Sequence, residues 1–476
     1  MNSQTRQKGI VLDFFAGPGG WSEGLRMLGL QDIGLEWDEA ACKTRTAAGH
    51  TTVRVDVSAF VLTPVVGRVW GAIFSPPCTK FSAAGKQFGM RVLGLLAEGI
   101  QRMFRGDDCR QELRDRIYPA ALVEQKAAND RRRKPWTSDK VEAAARDDAF
   151  ITVLVLEPAR CLHALIAGDT SGGIPLEWAA FEQVPGVLPL WKVYAEELRA
   201  LGWSVWTGIL NAANYGVPQT RERAVLIASS VRRAVAPDAT HGKNPVHDLF
   251  GDCLKPWVTM AEALGLDRRG VVNTRGDRKT PGGNNFPVAE PSWALTEKAR
   301  SWILHTNRDQ KPDGTRQTTD PHTAPAPAPA LTSKSGGQWV LKHNARANAT
   351  VRSVDEPAAT LAFGHARNEY EWINTRPATT VCATNRIAAP GHRDRSSGGE
   401  SQFAGPETVR ITVPEAAVLQ SFPADYPWQG TRTKQFEQVG NAWCPRAAAA
   451  VVGAATGIDW QPPVARHYGE DTEVAA

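Results

Sequence analysis

The segment SPPCTKFS, residues 75–82, places Cys78 directly behind two prolines. Proline fixes φ and offers no backbone N–H, so two in a row make a stiff turn that continues neither a strand nor a helix. A sulfur held still in such a turn is a candidate nucleophile, although a free cysteine taken alone is more often an inert, buried small hydrophobe. Further along stand Glu182, in FEQVPGV, and the pair Arg221 and Arg223, in QTRER. One carboxylic acid and two guanidiniums suit proton donation and the orientation of a polar or anionic group. Their duller readings are a solvated turn carboxylate and paired surface charges.

Side chains so far apart in the chain need a scaffold to bring them together. Residues 10–15, IVLDFF, form a short apolar run that ends at AGPGG, and Trp21, Leu25 and Leu28 follow at helical spacing. Strand, glycine turn and helix is the implied order. Gly17, Gly19 and Gly20 would let the backbone pass close to a cofactor and leave the helix N-terminal N–H groups free, with tight packing as the alternative. A second strand, residues 33–35, ends in Glu36, placed to bond ribose hydroxyls; Trp37 beside it offers a flat face for adenine or else belongs to the core. A third unit, residues 52–57, carries Asp56, and a fourth, residues 70–74, delivers the proline turn. Ligands of open α/β sheets bind at the carboxyl ends of the strands, so these groups are expected to line one crevice.

A chain of 476 residues with 42% apolar residues suits about two globular domains. Its seven cysteines are scattered, without CxxC or zinc-ligand spacing, which fits a reducing cytoplasm and no disulfide framework, and no metal is expected. No apolar run of membrane-spanning length and no signal-peptide core are read, so a soluble protein without a membrane partner is expected. The net charge of +5 permits a polyanionic partner without requiring one.

The ordered series of motifs resembles the cytosine-C5 DNA methyltransferase family, of prokaryotic or phage type. DFFAGPGG is similar to the family's first cofactor motif, EWD to its second, the Asp56 region to its third, and PPCTKFSAAGKQFG to its catalytic-cysteine motif with the mobile loop that follows. FEQVPGV, QTRER, RITVPEAAVLQSFPADY and QVGNAW continue the series. The resemblance implies a doubly wound, mostly parallel Rossmann-like sheet, S-adenosyl-L-methionine as cofactor, and double-stranded DNA as partner. It also implies a cofactor site of Asp13, Phe14, Ala16, Gly17, Gly19, Gly20, Glu36, Trp37, Asp56, Pro77 and Asn441. Asn441 doubles as a candidate cap for the helix that begins near Pro445.

The implied reaction needs these residue types together. Cytosine C5 is too electron-poor to take a methyl group until a nucleophile adds at C6, the task of Cys78. Glu182 would act at N3, and Arg221 and Arg223 would orient the base oxygen, the loop or a phosphate. The base must be swung out of the duplex to be reached, at a cost of a few kcal/mol. The loop after the cysteine, with Ser82 and Gly85, would meet the DNA. Four residues depart from the family pattern: Gln183 for asparagine, Thr79 for glutamine, and Ala442 and Trp443 near the C-terminal motif.

Cys78 and Glu182 are further apart than the resemblance implies. The surplus, residues 90 to about 146, opens with an apolar piece and reaches the basic run at residues 131–134 within a polar helix-like stretch. It reads either as a solvated helical excursion or as a source of extra phosphate contacts. Between residues 236 and 406 the composition shifts, and a loose repeat recurs: VVNTR, WILHTNR, WVLKHNAR and WINTR, ending at Arg275, Arg308, Arg346 and Arg376. Short strands ending in Asn and Arg suit base and phosphate contacts, which makes these arginines candidate DNA contacts in an inserted target-recognition domain.

The expected architecture is a catalytic domain of residues 1–235, a recognition domain of residues 236–406 and a C-terminal segment, 407–476, that completes the first. The expected activity is methyl transfer to C5 of cytosine in a specific DNA sequence. The alternatives are an RNA cytosine methyltransferase, a catalytically impaired DNA-binding relative and a glycine-turn dehydrogenase, the last leaving PPC and QTRER unexplained. A monomer is expected, with a cognate restriction endonuclease as a candidate partner.

Overall fold

Strands buried on both faces read as apolar runs, as do β1 Ile10–Phe14, β4 Val69–Phe74 and the first part of β5 Trp178–Gln183. The computed structural model describes residues 7–77, 79–81, 88–168, 172–243, 254–264 and 412–470, together with the short strands Val271–Asn273, Asn285–Pro287, Ser292–Trp293, Val340–Lys342 and Val351–Ser353. Among the described residues β1, β4 and β5 form one seven-stranded sheet with β2 Ile33–Glu36, β3 Thr51–Arg54, β6 Ser204–Asn211 and β7 Glu222–Ser229, in the order β3-β2-β1-β4-β5-β7-β6. All neighbours pair in parallel except β7, which runs antiparallel to both β5 and β6. Strand order reverses between β1 and β4, the switch point at which open α/β sheets hold their ligands.

Strand alternation divides the core into two layers. Leu12, Phe14, Ala72, Phe74, Ala179 and Phe181 face one side, where α3 Leu93–Phe104, α6 Glu157–Ala167 and α7 Leu188–Ala200 pack. Val11, Ile73, Trp178 and Ala180 face the other, covered by α1 Gly20–Met27 and the C-terminal helix α10 Pro445–Thr456. Phe14, Phe74 and Phe181 are in register across β1, β4 and β5, with ring centroids 4.8 and 5.0 Å apart. The next residue of each strand, Phe15, Ser75 and Glu182, therefore lies in a single layer above this aromatic floor.

The surplus between Cys78 and Glu182 is built mainly as a helical hairpin. Helix α4, Arg110–Asp130, buries Leu113, Ile117 and Ala121, and α5, Ser138–Val153, buries Val141, Ala145 and Ala149, so two stripes at four-residue spacing meet. The basic run at 131–134 is the turn between these helices, not part of a helix as the sequence suggests. The helical run Ser138–Ala167 is, by length and composition, apolar enough to cross a membrane, contrary to the expectation from sequence. In the fold, 67% of its apolar window is buried inside the molecule, which accounts for its composition.

Cys78, Ser82, Gly85, Arg275, Arg308, Arg346 and Arg376 lie outside the described residues. Of the four repeat copies, VVNTR and WVLKHNAR contribute described strands, Val271–Asn273 and Val340–Lys342, each in an antiparallel pair.

Candidate active site

A cavity of about 630 Å³ opens at the switch point. Its walls come from the ends of β1, β2, β4 and β5, from QTRER, from α5 and from the C-terminal helix α9, Arg432–Asn441. Pro77 and Thr79, the residues on either side of Cys78, both line it, as do Glu182, Arg221 and Arg223. The four cysteines described, Cys42, Cys109, Cys161 and Cys444, are all buried. Burial pushes their thiols up, to about 11 for Cys42 and Cys444 and about 12 for Cys161, so none of the four is a ready thiolate.

Glu182 follows Trp178 and Ala180 along β5, and its carboxylate forms an ion pair with Arg223, 2.9 Å from Nε. Arg221 is buried and donates to the Gly440 carbonyl at 3.0 Å, fastening α9 to the wall. Gln183 donates through Nε2 to the Pro76 carbonyl and accepts from Val184 N at 2.6 Å. It thus ties the end of β5 to the proline turn, so the extra methylene relative to asparagine leaves that tie in place. On the other side, Trp21 Nε1 donates to Ser75 Oγ at 2.8 Å. Ser75 and Pro76 are thus held from both flanks.

The predicted cofactor residues divide into two groups. Ala16, Gly17, Gly20, Glu36, Trp37, Asp56, Pro77 and Asn441 line the cavity. Trp37 is 65% exposed, which excludes the core reading. Glu36 accepts from Gly17 N, Trp37 N and Asp38 N, each at 2.8 Å, so it shapes the glycine turn while facing the cavity. Asp56 caps the turn Val57–Ala59 by accepting from Ser58 N at 2.8 Å. Asn441 ends α9 and does not cap the next helix, whose first flanking residue is Cys444.

Asp13, Phe14 and Gly19 sit below this layer, outside the cavity lining. Phe14 belongs to the aromatic floor. Asp13 is fully buried 3.8 Å from Arg45, with neither carboxylate oxygen hydrogen-bonded. Burial, reinforced by Asp32, raises its pKa well above the ordinary range. Gly19 has φ of 109°, and a Cβ there would come within 2.7 Å of the Tyr426 hydroxyl. The absence of a side chain there therefore allows the close approach of the C-terminal segment.

Phe15, which sequence reasoning passed over for Phe14, lines the cavity with φ of 64°. The signal was the aromatic doublet: Phe14 ends β1 fully buried, while Phe15, just past the strand, is half-buried against the same core and also faces the cavity. A positive φ on a bulky residue is rare and clusters at ligand sites. Asp147, Phe150, Ile151 and Leu154 also line the cavity, and no sequence motif marks them: they lie just past the surplus segment, in a helical stretch whose facing depends on how it packs.

A family model for C-5 cytosine-specific DNA methylase matches residues 10–93 and 181–456. The chain belongs to this family. Type II methyltransferase M.AplI of Arthrospira platensis is 28% identical over 463 residues, covering 95% of this chain and 86% of its own. M.AquIA of Picosynechococcus is 26% identical over 271 residues, 53% of this chain and 87% of its own. Among solved structures, the Dnmt2 methyltransferase of S. pombe aligns with 94% of this chain and 98% of its own, at 11% identity and a TM-score of 0.44. The protein is thus a DNA cytosine-5-methyltransferase with a Rossmann-like sheet. The family match omits residues 94–180, the stretch that includes the helical hairpin.

Proposed function

We propose that Cys78, Glu182 and Arg223 carry out the chemistry of this DNA methyltransferase, with S-adenosyl-L-methionine in the cavity beside them. The reading rests most heavily on the Glu182–Arg223 ion pair, set in the wall of the cavity that Pro77 and Thr79 also line. The donor set suits that cofactor: an exposed indole face at Trp37, the Glu36 carboxylate, Asp56 beyond it, and open space where a Cβ on Gly17 would point. The bound cofactor supplies an electrophilic methyl group.

Cys78 adds through sulfur to C6 of the flipped cytosine, which raises electron density at C5. Glu182 hydrogen-bonds or protonates N3, where the negative charge gathers, while Arg223 holds the carboxyl in place and offers a donor toward the base. After methyl transfer, loss of the C5 proton and departure of the Cys78 sulfur restore the aromatic ring. Gln183 and Trp21 keep the proline turn from drifting during these steps, as proximity catalysis demands. The cytoplasm is the expected place of action, and a monomer the expected state.

Bisulfite sequencing of DNA from cells expressing the chain tests this. Protected cytosines at a fixed sequence with the native chain, and none with Cys78→Ser, are the expected result. Protection that persists with Cys78→Ser would assign the nucleophile elsewhere.

A further inference from the structure

The helical hairpin ends in a concentration of positive charge that the fold leaves unbalanced. Residues 126–140 carry six cations, Lys126, Arg131, Arg132, Arg133, Lys134 and Lys140, against Asp130 and Asp139, in a chain whose whole net charge is +5. Nearer the base, arginines are matched: Arg91 with Glu124, Arg102 with Glu112, Arg110 with Glu157, and Arg116 with Glu98. At the tip, Arg131, Arg133 and Lys134 have no acidic partner among the described residues, and all three are exposed.

The tip is closed by its own contacts. Asn129 donates to the Trp136 carbonyl at 3.1 Å and accepts from Trp136 N at 2.7 Å, closing the turn. The Trp136 ring is flanked by the Arg132 guanidinium at 3.6 Å and the Lys140 ammonium at 4.7 Å. The base of the hairpin belongs to the reaction site. Asp147 and Phe150 line the cavity, and Asp148 receives Lys80, two residues past Cys78, on one oxygen and Gln125 of α4 on the other. From Asp148 the helix α5 runs outward for about 15 Å, at 1.5 Å per residue, before reaching the basic turn.

We propose that this hairpin is a second DNA-binding arm, whose tip holds backbone phosphates of the substrate duplex less than one helical turn from the flipped cytosine. A duplex repeats every ~34 Å, so an arm of this reach, starting at the loop behind Cys78, meets phosphates flanking the target. Exposed Lys and Arg on such a turn contact phosphates without reading sequence. The inference rests on DNA being the substrate and adds a contact surface outside the region matched by the family.

The test is the salt dependence of duplex binding by the full chain, native against the triple variant Arg131→Ala, Arg133→Ala, Lys134→Ala. Each lost phosphate contact lowers the slope of log K against log salt by about 0.9, so a slope shallower by about 2 to 3 is expected. The DNA KM should rise while kcat, target sequence and cofactor affinity hold. A second variant with Arg131→Lys and Arg133→Lys retains the charge and should restore the slope. An unchanged slope in the triple variant, with native binding intact, overturns the arm and leaves the methyltransferase reading standing. A native chain that binds no duplex overturns both.

Discussion

Glu182 and Arg223 illustrate how much of the catalytic centre depends on single contacts. Glu182→Gln keeps the shape of the side chain but removes the acid and weakens the pair with Arg223. A loss of about 100-fold or more in kcat is expected, the usual scale for a general acid, with cofactor affinity unchanged in equilibrium dialysis. Phe15 makes a different kind of prediction. Its φ of 64° costs of order 1–3 kcal/mol for a residue with a Cβ, and glycine would relieve this while removing the ring from the cavity. Phe15→Gly should therefore bind the cofactor about tenfold or more weakly without a lower thermal midpoint; a fall in the midpoint with unchanged affinity would place the ring's role in the core instead. The Phe14–Phe15 doublet was visible in the sequence, but which ring faced the cavity depended on where β1 stops and on the pairing that puts Phe14 opposite Phe74.

At the scale of elements, the strand–turn–helix units could be read because glycine, proline and strand-end acids punctuate them locally. The hairpin could not, since its role depends on contacts across the fold. Gln125 and Asp148 come from the two helices of the hairpin and Lys80 from far earlier in the chain, and their meeting bridges the hairpin to the segment behind Cys78. Asp148→Ala would leave the Lys80 ammonium, largely shielded from water, without its carboxylate, at a cost of about 1–3 kcal/mol. Faster amide exchange at residues 79–81 and a lower kcat at unchanged duplex affinity are expected. Exchange that stays at the native rate would mean that the ion pair does not restrain the loop.

The whole molecule is closed by its C-terminal segment. Tyr426 donates to the Pro18 carbonyl at 2.6 Å, Lys434 pairs with Asp38 at 3.1 Å, and the Trp443 carbonyl sits against Gly20. A Cβ on Gly20 would lie 2.0 Å from that carbonyl oxygen, well inside contact distance, so Gly20→Ala must open the seam between the first and last motifs. A lower thermal midpoint and weaker cofactor binding should appear together. His241 adds a pH dependence to the same region. Burial, with the cations of Arg446 and Lys255 nearby, lowers its pKa to about 4. In the unfolded chain it titrates near ~6.5, so between these values the unfolded state binds the extra proton and stability falls as the pH drops. His241→Asn should flatten the decline in thermal midpoint between pH 6.5 and pH 4; a variant that declines as steeply as the native chain would assign that loss to other groups.

The sequence by itself determined the type of sheet, the turns at its strand ends and the family, because each rests on short-range rules: apolar runs, backbone permissiveness and motif order. It also determined which residue types were on hand for the chemistry. Only the tertiary structure decided which of them share a cavity. Asp13, Phe14 and Gly19 lie within the same motif as Gly17 yet fall outside the cavity lining, while Phe150 and Asp147, which no sequence motif marks, reach the cavity wall. Facing is set by pairing register and by which helix packs on which sheet face, and these are properties of contacts between distant parts of the chain that no local pattern encodes.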